Sequence, residues 1–175
     1  MRLDTQAKPP SSVGRYSPGC FGFTLMELMV VVAIIAILAT LTMPSLLAKR
    51  QRGEVAEAVR MTKTIRNEVT EYYEKYHAFP SDNDEAGIPA PEKLIGNKVT
   101  GIKVEGGAIH ITLGNKAAKP LQGKIVSMRP AVVIGSPASP ISWLCGADEP
   151  VEGMTAVGED KTDINEGFVP VNCGN

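Results

Sequence analysis

The stretch from Gly22 to Met43 decides the fold. It reads GFTLMELMVVVAIIAILATLTM, and its only charged residue is Glu27. The 21 residues from Phe23 to Met43 would form a helix that covers the ~30 Å hydrocarbon core of a bilayer, because an α-helix rises about 1.5 Å per residue. The sequence therefore predicts a transmembrane helix over residues 23–43.

Glu27 distinguishes this stretch from an ordinary membrane anchor, because a carboxylate inside the membrane costs about 2–4 kcal/mol and needs a cationic partner. A cut between Gly22 and Phe23 would supply one, since the new α-amino group is cationic near neutral pH and lies one helical turn away. Pairing could occur within one chain or between staggered chains, and staggered pairing would build a filament. The alternative is an uncut membrane anchor with a stray acid.

These residues resemble the class III signal of type IV pilins and related pseudopilins. In that family a membrane peptidase cuts after the glycine and N-methylates the new terminal phenylalanine, and the fifth residue of the mature chain is glutamate. The resemblance assigns the cut to Gly22 and Phe23, the methylated amine to Phe23 and the assembly charge pair to Glu27. It also implies the α+β pilin fold, in which one long N-terminal helix packs on a roughly four-stranded antiparallel sheet.

Residues 1–22 are then a leader peptide that is removed. They lack the apolar segment of a secretory signal peptide and are rich in proline and serine. The leader is longer than those of the pilin subclass that the chain resembles, so either the leader is long or translation starts downstream.

The charge and the cysteines fit this division of the chain. The 153 residues after the leader carry 15 basic and 18 acidic side chains, which does not suggest a nucleic-acid-binding protein. Removal of Cys20 with the leader leaves Cys145 and Cys173, an even pair suited to an oxidising compartment. A disulfide between them would contribute about 3.5 kcal/mol on the chain-entropy model. The alternatives are lipid attachment at Cys20 and two unpaired thiols.

The apolar stretch leads into a second helical half over residues 44–77. Pro44 predicts a kink rather than an end, because a proline inside a helix removes one hydrogen bond. We expect this half to pack on the sheet through one apolar stripe with spacings of mainly three and four. The stripe comprises Leu47, Val55, Ala58, Val59, Thr62, Ile65, Val69, Tyr72, Tyr73 and Tyr76. The opposite, charged face includes Arg50, Arg52, Glu54 and Glu57.

The basic residues Lys49, Arg50 and Arg52 follow the predicted membrane span closely. By the positive-inside tendency they favour a cytoplasmic location for the rest of the chain. The cysteine pair and the resemblance favour the opposite orientation, which we adopt.

Beyond Pro80, residues 78–97 are predicted to form a connecting loop, and residues 98–175 a sheet with a disulfide-bounded C-terminal loop. Runs of β-formers around a Gly-Gly turn indicate a hairpin, and two further strands complete the sheet. The predicted strands are Val99–Val104, Ala108–Leu113, Lys124–Arg129 (ending at Pro130) and Ile141–Cys145.

A second part of the chain also resembles the family. Major pilins with an N-terminal phenylalanine are similar at the Trp-x-Cys strand, here Trp143 to Cys145, and at an ending like Val169–Cys173. The resemblance implies that Cys145 and Cys173 form the disulfide, and it disfavours secretion pseudopilins.

The segment between these cysteines is acidic, with one lysine, Lys161. We expect an exposed loop that charge keeps solvated, or one that contacts neighbouring molecules. The spacing of Asp160, Asp163 and Glu166 lacks the Asp-x-Asp-x-Asp-Gly pattern of a calcium loop, so no metal is predicted.

No catalytic constellation is apparent, so the chain is not expected to be an enzyme or to need a cofactor. His77 and His110 have no nucleophile or ligand at a telling spacing, and His110 is best interpreted as a strand residue. Tyr72, Tyr73 and Tyr76 are expected to pack on the sheet.

The resemblance implies a structural subunit of a type IV pilus, a filament that serves motility, adhesion or DNA uptake. Its expected partners are further copies of itself, the prepilin peptidase, the pilus assembly platform, minor pilins and the membrane. It would reside in the bacterial cytoplasmic membrane and then in the extracellular filament. The alternatives are a minor pilin that acts as a binding module, and a pseudopilin of a type II secretion system.

Overall fold

The computed structural model describes residues 22–170, without the side chains of residues 41–45. The chain divides into two compact units, Met1–Thr40 and Leu41–Asn175. The predicted leader, apart from Gly22, and the C-terminal Cys173 therefore lie outside the described residues. In the part of the chain that is described, no helix is long and apolar enough to cross a membrane.

Helix α1 (Leu25–Met61) continues through position 44, so the helix does not end at the proline. The predicted kink at Pro44 falls among the residues whose side chains are not described, and it stays a prediction. Helix α2 (Lys63–Tyr76) follows after a single residue, Thr62. It ends at His77, whose backbone is left-handed (φ 51°) and whose N–H donates to the Tyr73 carbonyl. This end agrees with the prediction.

Thr62 interrupts the helix within its second half, which the sequence predicts to continue over residues 44–77. Its N–H donates to the carbonyl of Val59, three residues back, at 3.1 Å, and its hydroxyl donates to the same carbonyl at 2.7 Å. The four-residue pattern resumes with the bond from Arg66 N to Thr62 O at 2.8 Å. Thr62 is buried, and its N–H and hydroxyl converge on the Val59 carbonyl, which gives the backbone a three-residue turn at this point.

The sheet is antiparallel, with the order β1-β2-β3-β4 and a fifth strand that also pairs with β3. The predicted hairpin is confirmed, with Glu105 opposite Ala108 across the turn. The strands are β1 (Val99–Glu105), β2 (Ala108–Leu113), β3 (Ile125–Val133), β4 (Ser142–Cys145) and β5 (Met154–Ala156).

Strand β3 does not end at Pro130, contrary to the prediction. The β2 ladder stops at Met128, and the Pro130 carbonyl on that edge accepts instead from Val157 N at 2.8 Å. Because the N–H and C=O of a residue in an antiparallel ladder face the same partner, the proline supplies no return bond to Val157, and the strand continues with only the Pro130 carbonyl paired on this edge. Beyond Pro130, Val132 and Val133 pair with the unpredicted strand β5.

The core lies between the helices and one face of the sheet. Val55, Ala58, Val59, Ile65 and Val69 from the helices are buried, as the apolar stripe predicts. From the strands come Ile102, Val104, Ile109, Ile111 and Met128.

The tyrosines behave differently from one another. Tyr73 is buried and stacks on Phe79 with ring centroids 4.4 Å apart, as predicted. Tyr76 is 54% exposed, so its predicted burial is wrong. The Tyr72 hydroxyl donates to Glu85, and this hydrogen bond raises the pKa of Tyr72 to about 12 and lowers the pKa of Glu85 to about 2.

Candidate functional site

The predicted processing and assembly residues lie together at the start of helix α1. Gly22 has no neighbouring atom within 4 Å of where a Cβ would stand, and Phe23 is 79% exposed. Thr24 caps the helix, and Leu28 N donates to its carbonyl. Gly22 and Phe23 therefore lie just before the helix and Glu27 in its first turn, and all three residues are exposed.

Glu27 and Thr24 form a reciprocal capping box. The Thr24 N–H and hydroxyl both donate to Glu27 Oε2 at 3.0 Å, and the Glu27 N–H donates to the Thr24 hydroxyl at 3.2 Å. A Thr three residues before a Glu satisfies helix N–H groups that have no partner in the first turn. Within the described residues, the second carboxylate oxygen, Oε1, accepts no hydrogen bond, so it is available to a further donor.

The first sixteen residues of α1 expose apolar side chains on all sides. A helix that is apolar all round is normally covered by protein or lipid. The exposed side chains include Leu25, Met26, Leu28, Met29, Val30, Ile34, Ile35, Ile37 and Leu38.

Cys145 lies at the end of β4, where it is buried and disulfide-bonded. Its predicted partner, Cys173, lies outside the described residues. Arg129 holds the chain after Cys145 by donating to the carbonyls of Gly146 and Asp148, at 3.1 and 2.7 Å. The strand and the turn that follow it are thus fixed to β3.

Residues 158–163 cover the face of β2 that the helices leave open. Asp163 accepts a hydrogen bond from Ile125 N at 2.5 Å and pairs with Lys124, while Lys161 N donates to Ser127 Oγ at 2.8 Å. Part of the predicted acidic loop is therefore attached to the sheet, and Asp163 has a structural role. Among residues 22–170, no three His, Cys, Asp or Glu side chains are grouped as a metal site.

His110 is a buried strand residue, as expected, and it connects two polar side chains. Its Nδ1 lies 2.9 Å from Ser127 Oγ, and its Nε2 lies 3.5 Å from the Glu105 carboxylate. Burial lowers the pKa of His110, while Glu105 opposes this shift. Hydrogen bonds from Lys103 and Lys161 lower the pKa of Glu105 to about 2.

The Ser127, His110 and Glu105 side chains follow the order of a catalytic triad, which sequence reasoning missed. However, Ser127 is 0% exposed, and its oxygen already accepts the Lys161 N–H. The nucleophile position is closed, so this cluster attaches residues 158–163 to the sheet.

Glu54 is a second residue that sequence reasoning misplaced. The charge pattern predicts that Glu54 lies on the solvated face, but the residue is 6% exposed. Its carboxylate pairs with Arg50 and Lys98, each at 3.2 Å, and accepts the Ala118 N–H at 2.6 Å. The available signal was its position four residues before Ala58, on the same side of the helix as the buried row. Conversely, Leu47, which was assigned to the apolar stripe, is 56% exposed.

Two families match the chain. One is described as pilin, a bacterial filament, and matches residues 51–174; the other is the prokaryotic N-terminal methylation motif, which matches residues 18–43. The second match covers Gly22, Phe23 and Glu27.

Named relatives agree with these matches. The type IV major pilin protein PilE1 of Neisseria gonorrhoeae is 34% identical over 160 residues, which cover 87% of this chain and 86% of the relative. A fimbrial protein of Neisseria meningitidis serogroup A is 33% identical, over 71% of this chain and 72% of its own. The fimbrial protein EcpC of Eikenella corrodens is 34% identical, over 73% of this chain and 82% of its own.

Proposed function

Because the chain belongs to the pilin family and is a structural subunit of a type IV pilus, we propose that it is made as a precursor and cut between Gly22 and Phe23. The prepilin peptidase makes this cut and methylates the new Phe23 amine. The observation that carries the proposal is the exposure of Gly22, Phe23 and Glu27 at the start of helix α1, within the matched methylation motif.

Glu27 neutralises the Phe23 amine during assembly. In the uncut chain, Thr24 occupies one carboxylate oxygen and leaves Oε1 available. The amine of an incoming subunit can bind there without breaking the cap, because an ionised carboxylate accepts several hydrogen bonds. Charge pairing offsets the cost of placing both groups in an apolar filament core or in a membrane.

Residues 23–43 hold the subunit in the cytoplasmic membrane before assembly and line the filament core afterwards. The apolar surface of α1 supports this, since it is exposed in the single chain and needs a covering partner. The assembly platform and minor pilins act on the subunit at this stage. Residues 44–77 continue the helix, residues 78–97 connect it to the sheet, and residues 98–175 form the exposed part of the filament.

Cys145 pairs with Cys173 and closes the C-terminal loop. The burial and oxidised state of Cys145 support this pairing. The subunit acts through assembly, and the closed position of Ser127 gives no support to a catalytic role.

The test is the intact mass of the most abundant protein in filaments sheared from the cell surface, measured before and after reduction. We expect a chain that begins at Phe23, is one methyl group heavier than its sequence, and gains two hydrogens on reduction. A chain that retains residues 1–22 would contradict the cut. An unchanged mass after reduction would contradict the disulfide.

A further inference from the structure

Two groups of charged side chains lie at opposite ends of the sheet, one mainly basic and one mainly acidic. Strand β1 runs from Val99 at one end to Glu105 at the hairpin end, roughly 20 Å at about 3.3 Å per residue. The chain segments that pack at these two ends carry opposite charges. We call them the basic end and the acidic end.

The basic end surrounds Glu54. This buried carboxylate contacts Arg50, Lys98 and the Ala118 N–H, which brings helix α1 together with the connection between β2 and β3. Lys98 also donates to the Lys116 carbonyl at 2.5 Å, which fixes the start of that connection. The basic end is defined by Arg50, Lys98, Lys116 and Lys119.

The acidic end lies beside the β1–β2 hairpin turn. Gly106 N and Gly107 N donate to the carbonyls of Ser81 and Pro80, so the turn that follows residue 81 sits at the hairpin. Asn83 anchors this turn by accepting from Val104 N at 2.7 Å. Glu68 and Glu71 line the same surface hollow as Glu85, and the basic residue Lys75 also lines it. The acidic end is defined by Glu68, Glu71, Asp82, Asp84 and Glu85.

Each end has exposed charged side chains, of which Glu71 also acts electrostatically on Lys75 one turn later in the helix. Lys116 and Lys119 are exposed, as are Glu71 and Asp84. None of these four side chains forms an ion pair within residues 22–170. By contrast, Lys98 forms an ion pair with Glu54.

We propose that the basic end of one subunit contacts the acidic end of a second copy farther along the filament. A helical filament is built from heterologous contacts, in which two different surfaces of the same chain meet. The basic and acidic ends are two such surfaces, with complementary charge and about one sheet length between them. This inference rests on the proposed polymerisation and adds a contact between the exposed parts of the subunits.

The test is an exchange of charges between the two ends in the full-length chain expressed in pilus-forming cells. The fraction of the chain in sheared surface filaments is measured against the total in the cells. We expect K116E/K119E and E71K/D84K each to lower this fraction about tenfold, because two attractive contacts become repulsive. The combination of all four substitutions restores charge complementarity, and we expect it to recover the wild-type fraction within about twofold.

A matched variant separates the contact from net charge. K116E/K119E combined with E149K/E152K also restores the wild-type net charge, but its new lysines stand on exposed residues between β4 and β5. Recovery by this variant would overturn the proposal in favour of a net-charge effect. Failure of E71K/D84K to rescue K116E/K119E would also overturn it, and would assign the lysines to another partner, such as anionic lipid headgroups.

Two further controls keep the outcome interpretable. If a double variant does not accumulate in cells, K119E and D84K, alone and combined, give the same comparison with fewer changes. Absence of filaments from the wild-type chain would contradict the proposed function itself, whereas wild-type filaments without charge rescue contradict only the contact between the ends.

Discussion

The two halves of the long helical segment share a backbone conformation and differ in what covers their side chains. In residues 25–40, apolar side chains point in all directions, and Ile35 is 56% exposed. In residues 46–76, one stripe is apolar, and Ile65 is 4% exposed against the sheet. A stripe can be satisfied inside one chain, whereas an apolar surface all round requires partners from outside it.

The largest effect that would test this contrast comes from one substitution in each half. We expect Ile65→Ala to lower the free energy of unfolding by about 3 kcal/mol, because it leaves a cavity in the core. Ile35→Ala should change it by less than about 0.5 kcal/mol, since no packed neighbour is lost. The measurement is denaturant unfolding of the full chain in detergent, followed by Trp143 fluorescence. An equal loss of unfolding free energy in the two variants would contradict the difference in packing between the two halves.

Two of the acidic residues of α1, Glu27 and Glu54, provide the next test. Glu54→Gln leaves Lys98, whose side chain is 16% exposed, without a counter-charge, and we expect a loss of about 2 kcal/mol. Glu27→Gln should leave the same unfolding transition unchanged and instead reduce the amount of surface filament. Normal filament yield from Glu27→Gln would contradict the proposed pairing with Phe23.

The titration of Glu54 also predicts how the stability of the fold changes with pH. Burial raises the pKa of Glu54, but the Ala118 amide, Lys98 and Arg50 together lower it below 4.5. Its contribution to stability is therefore present above pH 4.5 and lost as the pH falls through the pKa of the folded state. Stability measured below pH 4.5 should fall less steeply in Glu54→Gln than in the wild type.

Two threonines give a smaller effect of the same kind. Thr62→Val removes a buried hydroxyl that lies 2.7 Å from the Val59 carbonyl, and we expect a loss of about 1 kcal/mol in global unfolding. Thr24→Val removes the helix cap, and it should only speed amide hydrogen exchange at residues 27 and 28. Faster exchange throughout residues 46–76 in Thr24→Val would show that the halves are coupled.

The smallest expected effect concerns His110 on strand β2, outside both halves of the helical segment. Burial lowers the pKa of His110 below 6.5. The positive charges of Lys161 and Lys103 also lower this pKa, whereas the negative charges of Glu105 and Glu159 raise it. The unfolded chain then binds a proton more readily, so stability is lost as the pH falls below 6.5. The melting temperature of the wild type should fall between pH 7 and pH 5 more than that of His110→Asn. An equal fall in both would exclude His110 as its source.

Local patterns in the sequence were sufficient for most elements of the fold. The Gly106-Gly107 turn predicts the hairpin, and Pro80 predicts the end of the helix near His77. Strand β5 could not be predicted, because it has three residues and pairs only where β2 leaves the edge of β3 beyond Met128. Its existence depends on a contact between distant parts of the chain.

The candidate site divides in the same way. Gly22, Phe23 and Glu27 were found from their spacing, since the capping box that joins Thr24 to Glu27 is local. The burial of Glu54 could not be read from its neighbours, because one of its partners, Ala118, lies 64 residues away. Ion pairs of this kind appear only when the sheet brings remote residues to the helix.

The capping box also determines which local structure is the same before and after the cut. All of its atoms belong to Thr24 and Glu27, downstream of the proposed cut. The precursor and the cut chain therefore start the helix with the same cap. Removal of the leader changes the charge at the N-terminus and leaves the conformation of the first helical turn unchanged. A subunit stored in the membrane would thus need no refolding of its first turn before use.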